Sequence, residues 1–518
     1  MPERTAATAS IHRAELPRRT DLPASAPERR GGVLLAVCLA ALVLPLSFSG
    51  GAVATPAIGR ELGGSPAALS WITNAFMLSF GGCLMAAGAL ADELGRKRVF
   101  TTGVGAFAAI SFGVSLAPSL LWLDVLRAAQ GVAAAAALAG GSAALAQELD
   151  GPARTRAFSW LGATFGAGLA FGPLLAGLVV ETLGWRAVFR STTVVGVLAL
   201  WLAARRMRES RDPAASGLDR PGALAFTAAL TAFTFAIIDG PRAGWSSPLV
   251  VALFAGAAAA LAAFLAIERR VARPMLDLSL FRYPRFVGVQ VLPIATCYGY
   301  VVLLVVLPLR LIGVDGRGEL ASGLAMVALS APMLVVPFAA ATLTRWLPAG
   351  VVSGAGLLIA AAGLGWLGTV PPGASMLGPM VVIGCGTGLP WGLMDGLSVS
   401  VVPVERAGMA SGIFSTTRVA GEGIALAIVG AILVGLIESR LHGALPAAPA
   451  APRIAQAAQR LAAGDLGAAA SALPELAPPV LVRAYAGAFR TLTQILAAIT
   501  AGAGLAVFAL LGRSPRGR

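Results

Sequence analysis

Long apolar runs separated by short polar turns fill the chain from about residue 32 onward, and their length sets the first expectation. A run of about 18 apolar residues or more is long enough to cross the hydrocarbon core of a bilayer as a helix. Such runs fall near 32–55, 70–91, 98–117, 119–147, 155–180 and 185–204, where a charged break from Arg205 to Arg220 intervenes. Two more follow near 221–239 and 248–267, and after the basic connector Glu268 to Arg285 come six others, near 286–309, 321–343, 348–369, 375–402, 407–437 and 487–511. The pattern predicts an all-α integral membrane protein of about fourteen spans, since helices satisfy their own backbone groups in lipid.

The polar segments add orientation. Residues 1–31, rich in Ala, Pro, Arg, Glu and Ser and without the layout of a secretory signal, read as a disordered cytoplasmic tail. Assigning alternate loops to opposite sides gathers most Lys and Arg in the N-terminus, one set of loops and the short tail 513–518, which places both termini in the cytoplasm. The segment 438–486 then lies outside. Within it, the apolar spacing of Arg453 to Ala463 suits a short amphipathic helix, lying on the outer surface or capping the exit; an Ala/Pro-rich linker is the alternative.

Composition narrows the classes. At 57% hydrophobic and 12% charged residues, with a mean hydropathy of +0.80, the chain is not a soluble globular domain, which carries roughly a quarter charged residues. The net charge of +14 is accounted for by the loop asymmetry, so no nucleic-acid partner is expected. Cys38, Cys83, Cys297 and Cys385 sit within apolar runs without metal or disulfide spacing, and read as packing residues. His12 and His442 fall outside the spans, so neither a zinc site nor a buried histidine relay is expected, and no cofactor.

The densest signal is Gly88-Ala-Leu-Ala-Asp92-Glu-Leu-Gly95-Arg96-Lys97-Arg98, wedged between two spans. About seven polar residues between apolar helices demand a hairpin, with Gly95 at the turn and the basic cluster on the cytoplasmic side. Asp92 is costly near lipid unless it accepts bonds from Arg96 or from a helix N-terminus. Four further patterns accompany it: Gly168-x-x-x-Gly172-Pro173-x-x-Ala176-Gly177; Asp124-Val-Leu-Arg127-Ala-Ala-Gln130-Gly131; Leu-Gly184-Trp185-Arg186-x-x-Phe189; and Asp219-x-Pro221-Gly222 with Gly240-Pro241-Arg-x-Gly244-Trp245.

Together these motifs resemble the major facilitator superfamily, and the span count resembles its fourteen-helix drug:proton antiporter branch, the EmrB/QacA type. The resemblance implies the major facilitator fold: six-helix bundles at 32–205 and 286–512, the second including the external loop 438–486, with two inserted transmembrane helices in the linker region 206–285. It implies a conformational latch at Gly88, Asp92, Gly95, Arg96 and Arg98, with a basic turn that merely sets topology as the alternative. It implies an antiport-type helix motif at Gly168, Gly172, Pro173 and Gly177, against a generic small-residue packing face.

The chain departs from that pattern in its first span, where Ser47 stands at a position the family often gives to aspartate. Proton binding is therefore expected elsewhere. One candidate is Asp124 beside Arg127, an arginine deep enough to need a counter-charge; the other is Asp395, Arg418 and Glu422 in the second bundle. Arg418 and Glu422 share a helix face, and Asp395 is expected at a comparable depth on the neighbouring helix. A static polar cross-link is the competing role for either group. Aromatic side chains such as Trp71, Phe76, Phe165, Phe171, Tyr298, Tyr300, Trp391 and Phe414 are candidates to line a cavity for a hydrophobic or amphipathic small molecule.

These readings converge on proton-coupled efflux of small compounds by a functional monomer, with the proton gradient as energy source. No Gly-x-x-x-x-Gly-Lys-Ser/Thr phosphate-binding sequence is present, and no catalytic constellation indicates an enzyme. A dedicated exporter of one metabolite, peptide or lipid, and a membrane receptor or scaffold that has lost transport, remain the alternatives.

Overall fold

The computed structural model describes residues 27–149, 151–211, 219–271, 276, 278–371, 373–402, 407–444 and 451–512. Of the expected N-terminal tail, 1–31, residues 1–26 lie outside the described residues, as do the tail 513–518 and parts of the connectors after the sixth and eighth spans, whereas 27–31 already belong to the first helix. Fourteen helices among the described residues are long and apolar enough to cross a membrane. The first six are α1 (Pro27–Leu62), α2 (Pro66–Leu94), α3 (Arg96–Ser115), α4 (Leu120–Glu148), α5 (Gly151–Leu183) and α6 (Trp185–Arg206). The inserted pair is α7 (Arg220–Ala243) and α8 (Pro248–Glu268). The second set begins with α9 (Pro284–Val314), α10 (Glu319–Leu343), α11 (Ala349–Thr369), α12 (Leu377–Ser400) and α13 (Ala407–Ala444). Two short helices, α14 (Ala451–Ala462) and α15 (Leu466–Ala472), precede the last span, α16 (Pro478–Leu511).

Local chemistry sets where these helices start. Ser65, Ser119 and Ser247 each turn a hydroxyl onto a backbone N–H in the first turn of α2, α4 and α8, and the Asp219 carboxylate does the same for α7 through Gly222 N at 3.0 Å. Pro66, Pro221 and Pro248 occupy the first turn, where a missing N–H costs nothing. The longest spans outrun the apolar runs: α13 continues to Ala444 and α16 begins at Pro478, well ahead of residue 487. Hydropathy sees only the lipid-facing stretch, whereas a helix continues into polar surroundings while packing partners remain.

Helix α9 differs from its neighbours. Two π-helical turns, Cys297–Val301 and Leu309–Val314, interrupt it, and Pro293 and Pro308 lie within it. The second turn rotates Arg310 inward, where it is buried, lies 3.5 Å from Asp315 and stacks 4.3 Å over the Phe489 ring of α16.

Packing divides the helices as the family resemblance implies. Helix α1 packs on α5 and α6, α2 on α4, and α3 on α4 and α6, closing one six-helix bundle. In the other, α11 packs on α12 and α16, α10 on α12, and α9 on α13 and α16. The inserted helices pair with each other, and α7 alone also reaches α2 and α13. Helix α8 turns Leu249, Val251 and Leu261 outward, as a helix facing lipid does. Contacts between the bundles run through α5 with α10, α2 with α13, and α1 with α9. The fold is an all-helical major facilitator fold with two inserted helices.

Candidate functional site

The α2–α3 hairpin turns on one residue. Gly95 ends α2 and opens α3 at φ +113°, a conformation L side chains rarely adopt. Arg96, one residue into α3, donates from Nε and from its terminal nitrogen to the same Asp92 oxygen, at 3.0 and 2.9 Å, and also to Gln147 of α4. Asp92 therefore has the Arg96 partner expected of it. Glu209, which sequence reasoning missed, caps the hairpin from the far side. Its carboxylate accepts from the backbone N–H groups of Lys97 and Arg98 at 3.2 Å, and it lies 3.6 Å from Arg98 Nε. An acid isolated among the arginines after α6 was the available signal. Gly88 has open space on its face, with nothing within 4 Å of the point where a methyl group would stand.

The glycines of α5 mark close helix contacts at two levels. A side chain at Gly168 would strike Pro45 of α1 at 2.5 Å, and one at Gly172 would meet Ser49 of α1. Gly177 faces the other bundle: a side chain there would reach Glu319 O at 2.5 Å and Gly323 of α10 at 3.4 Å. Pro173 lies between these two contacts, with its carbonyl against Gly323. Further ties join the bundles at this end, between Arg60 and Glu319 and from Leu320 N to the Glu181 carboxylate at 2.7 Å.

Arg127 is fully buried, and its direct hydrogen bonds go to neutral groups. Its Nε donates to Ile72 O at 2.7 Å, and one terminal nitrogen donates to Ser47 Oγ at 3.0 Å and Gln130 Oε1 at 2.6 Å. The guanidinium also lies 4.4 Å from the Phe76 ring centre. Asp124 forms no ion pair with it among the described residues, and Asp124 Oδ1 is buried without a hydrogen-bond partner. Asp124 stays outside ion-pair distance but near enough for its charge to act on Arg127, while the long arginine side chain extends to acceptors on α1 and α2. Ser47, noted only as a missing acid, is one of those acceptors.

In the second bundle Asp395 and Arg418 do meet, with Arg418 donating to Asp395 Oδ1 at 3.3 Å from α13 to α12. Glu422 lies beyond ion-pair distance of Arg418 among the described residues, yet the two charges still act on each other, as residues four apart on one helix face do. It is buried with Oε1 unpartnered and points at the first bundle, bordering a small cavity with Phe48, Phe76, Phe80 and Phe165. The Phe165 ring of α5 also lies 5.3 Å from the Arg418 guanidinium. Asp395 faces the same helix: a side chain at Gly162 would come within 3.9 Å of Asp395 Oδ2. All three charged groups thus stand at the seam between the bundles, with first-bundle aromatics opposite them.

The aromatic candidates divide. Phe76 and Phe165 border this seam, while Trp391 and Tyr300 pack on each other with ring centres 6.3 Å apart. Phe414 is buried 5.7 Å from the Arg418 guanidinium and Tyr298 is half-buried. Trp71 instead packs on Phe235 of the inserted helix α7, and Phe171 is exposed on the surface. No group of three metal-ligating side chains occurs among the described residues.

The comparisons with known proteins agree with this architecture. The model of the Major Facilitator Superfamily matches residues 37–426. The chain is 33% identical over 400 residues to the multidrug resistance protein Stp of Mycobacterium tuberculosis (strain CDC 1551 / Oshkosh), covering 75% of this chain and 73% of that protein. It is 33% identical to the cephamycin export protein CmcT of Amycolatopsis lactamdurans, over 76% of this chain and 83% of that one. With the puromycin resistance protein pur8 of Streptomyces alboniger it shares 32% identity, over 81% and 85% of the two chains. Among solved structures, an inward-facing, occupied bacterial homologue of the human lysosomal transporter Spinster superposes with a TM-score of 0.64 at 15% identity, over 95% of this chain and 100% of that one. The chain belongs to the Major Facilitator Superfamily, in the fourteen-helix form whose motifs it resembles.

Proposed function

We propose that this protein exports small hydrophobic or amphipathic compounds across the plasma (inner) membrane in exchange for protons, by rocking 32–205 against 286–512 about their seam. The observation that carries this reading is Glu422: a buried carboxylate of the second bundle, its Oε1 without a hydrogen-bond partner, among the aromatic side chains of the first. A group whose surroundings belong to both moving bodies changes environment whenever they move, and so exchanges a proton in step with the conformation. Asp395 and Arg418 hold the adjacent polar surface. The relatives named for drug resistance and export support the direction of transport.

In this reading both termini and the α2–α3 hairpin are cytoplasmic, and the ties at Gly177, Arg60 and Glu319 close the outer side. The hairpin serves as a latch between conformations, and the α5 glycines keep the outer contact tight. Each molecule works as a monomer within the bilayer. A proton moving down a total force of about 150 mV provides on the order of 3.5 kcal/mol, which sustains a few-hundredfold gradient of a neutral compound at one-to-one exchange.

Flux into everted vesicles under an imposed pH gradient tests the proposal. Wild-type protein is expected to concentrate a transported compound, and Glu422→Gln to bring its steady-state ratio close to one. Unchanged pH dependence in that variant would refute the coupling role. A narrower reading, export of one dedicated metabolite, draws support from the relative named for cephamycin export. A resistance panel separates the two, since a dedicated exporter protects against one chemical series only.

A further inference from the structure

A second cavity lies in the outer half of the seam, away from the ionic groups, and encloses about 150 Å³. Helices α2 and α13 form its main walls. The inserted helix α7 contributes Ile238 and Pro241, and α14 contributes Gln459 and Ala462, with Ala463 just beyond its end. A cavity of this size in an apolar setting accommodates a molecule about as large as a benzene ring.

The lining specifies what that molecule is. No charged side chain borders the cavity among the described residues. Five polar side chains line it, Thr55, Ser70, Thr73, Asn74 and Gln459, of which the Thr55 and Ser70 hydroxyls donate within their own helices, to Gly51 O at 2.9 Å and Ala67 O at 2.7 Å. Asn74 is different: it is only 6% exposed, lines the cavity, and its Oδ1 has no hydrogen-bond partner. A buried amide oxygen left unmet is costly, and a ligand N–H or O–H would satisfy it.

Position links this cavity to the ionic seam. Leu426 of the cavity wall lies one helical turn beyond Glu422 on α13, about 6 Å outward. Phe76 and Met77, which border the Glu422 cavity, follow closely after Asn74 on α2. Both bundles contribute walls, so the shape of the cavity depends on how the bundles stand.

We propose that this cavity is an outer binding pocket for an uncharged, predominantly apolar molecule about one aromatic ring across, whose single hydrogen-bonding group meets the Asn74 amide. The assignment rests on the export reading above: cargo occupies this pocket after leaving the ionic seam, beneath α14. Helix α7 then has a task besides spanning the membrane, since it supplies part of the wall.

Equilibrium dialysis of the full-length protein in lipid nanodiscs tests this, with empty nanodiscs as reference. Indole, ring-sized with one N–H, and naphthalene, which has none, are the probes. Wild-type protein is expected to bind indole saturably. Gly430 lines the cavity, and no atom lies within 4 Å of the point where a Cβ would stand. Gly430→Phe is therefore expected to fill the space and weaken indole binding at least about tenfold, while Gly430→Ala retains it. Asn74→Leu is expected to weaken indole about three- to tenfold and leave naphthalene unchanged. Absence of saturable indole binding, binding that survives Gly430→Phe, or indifference of indole to Asn74→Leu would each overturn the pocket. Naphthalene bound more tightly than indole by wild-type protein would mark a slot for lipid chains and overturn it equally. No pH gradient enters the measurement, so the pocket can fail while proton-driven export stands, or hold while export fails.

Discussion

Arg127 shows how a buried charge is accommodated with no direct ion pair, the nearby acid Asp124 acting only through space. Four of its contacts are a backbone carbonyl, a hydroxyl, an amide oxygen and an aromatic face, and each offers partial negative charge. Removing one acceptor should therefore cost more than neutralising the aspartate that makes no ion pair with it. Gln130→Leu, which strips Arg127 of one acceptor and Ser111 of its amide donor, is expected to lower stability by about 1.5–3 kcal/mol. Asp124→Asn should change the same thermal unfolding measurement far less. At the hairpin, Asp92→Ala removes both Arg96 bonds and is expected to abolish transport while membrane insertion persists, checked by vesicle flux beside surface labelling. Chain spacing made these residues legible as candidates and gave Asp92 its near partner Arg96, but not the distant partners of Arg127. Which acceptor a long side chain reaches depends on neighbours far away in the sequence, as Ser47 and Ile72 are from Arg127.

At the scale of elements, short-range signals were dependable wherever the backbone itself had to satisfy a constraint. The Gly95 turn and the serine and aspartate caps are such places, and each stands as its residue type demands. The α5 glycines carried a weaker message, since glycine is frequent along this chain; only the opposing helices show which ones matter. Gly168→Val pushes a side chain into Pro45 and is expected to cost about 1–3 kcal/mol, read as a lower unfolding temperature. Helix α14 resolves an open alternative. Its Ile454, Ala457, Ala458 and Leu461 face is fully buried, and Arg460 donates to Gly64 O at 3.0 Å at the α1–α2 turn. Arg453 holds it to Glu475 at 2.8 Å; that residue's own backbone, together with the Arg453 pair, keeps the Glu475 carboxyl below the usual range. A carboxyl lowered in the folded state stabilises it above the ordinary value near ~4.3, and that contribution is lost as pH falls through the lower folded value. Hydrogen-exchange protection factors in α14, corrected for the intrinsic pH dependence of exchange, are thus expected to fall below about pH 4 in the wild type, with a flatter profile in Glu475→Gln.

For the whole molecule, the relation between the two bundles decides function, and it is held by unequal contacts. The Arg60–Glu319 pair involves a largely exposed arginine, and such a bridge contributes about 0–1 kcal/mol. The Gly177 contact with α10 is backbone against backbone and leaves no room for a side chain. Gly177→Leu is therefore expected to open the outer side far more than Arg60→Ala. An impermeant thiol reagent acting on Thr73→Cys, in a background with the four native cysteines replaced by alanine, reads the difference. Equal labelling in both variants would mean that the helix contact does not hold the outer side shut.

Sequence alone determined that this is a membrane protein of fourteen helices, where its sharpest turn lies, and which ionisable side chains the hydrocarbon would not tolerate unaided. Those conclusions follow from the length of apolar runs and from backbone constraints, both properties of neighbours along the chain. Tertiary structure decided that Arg127 hydrogen-bonds to neutral acceptors, that Glu422 stands against aromatics of the opposite bundle, and that α7 and α14 border a cavity with Asn74. Each of these depends on which helix lies across from which, and that is set by packing between segments whose separation in sequence carries no local trace.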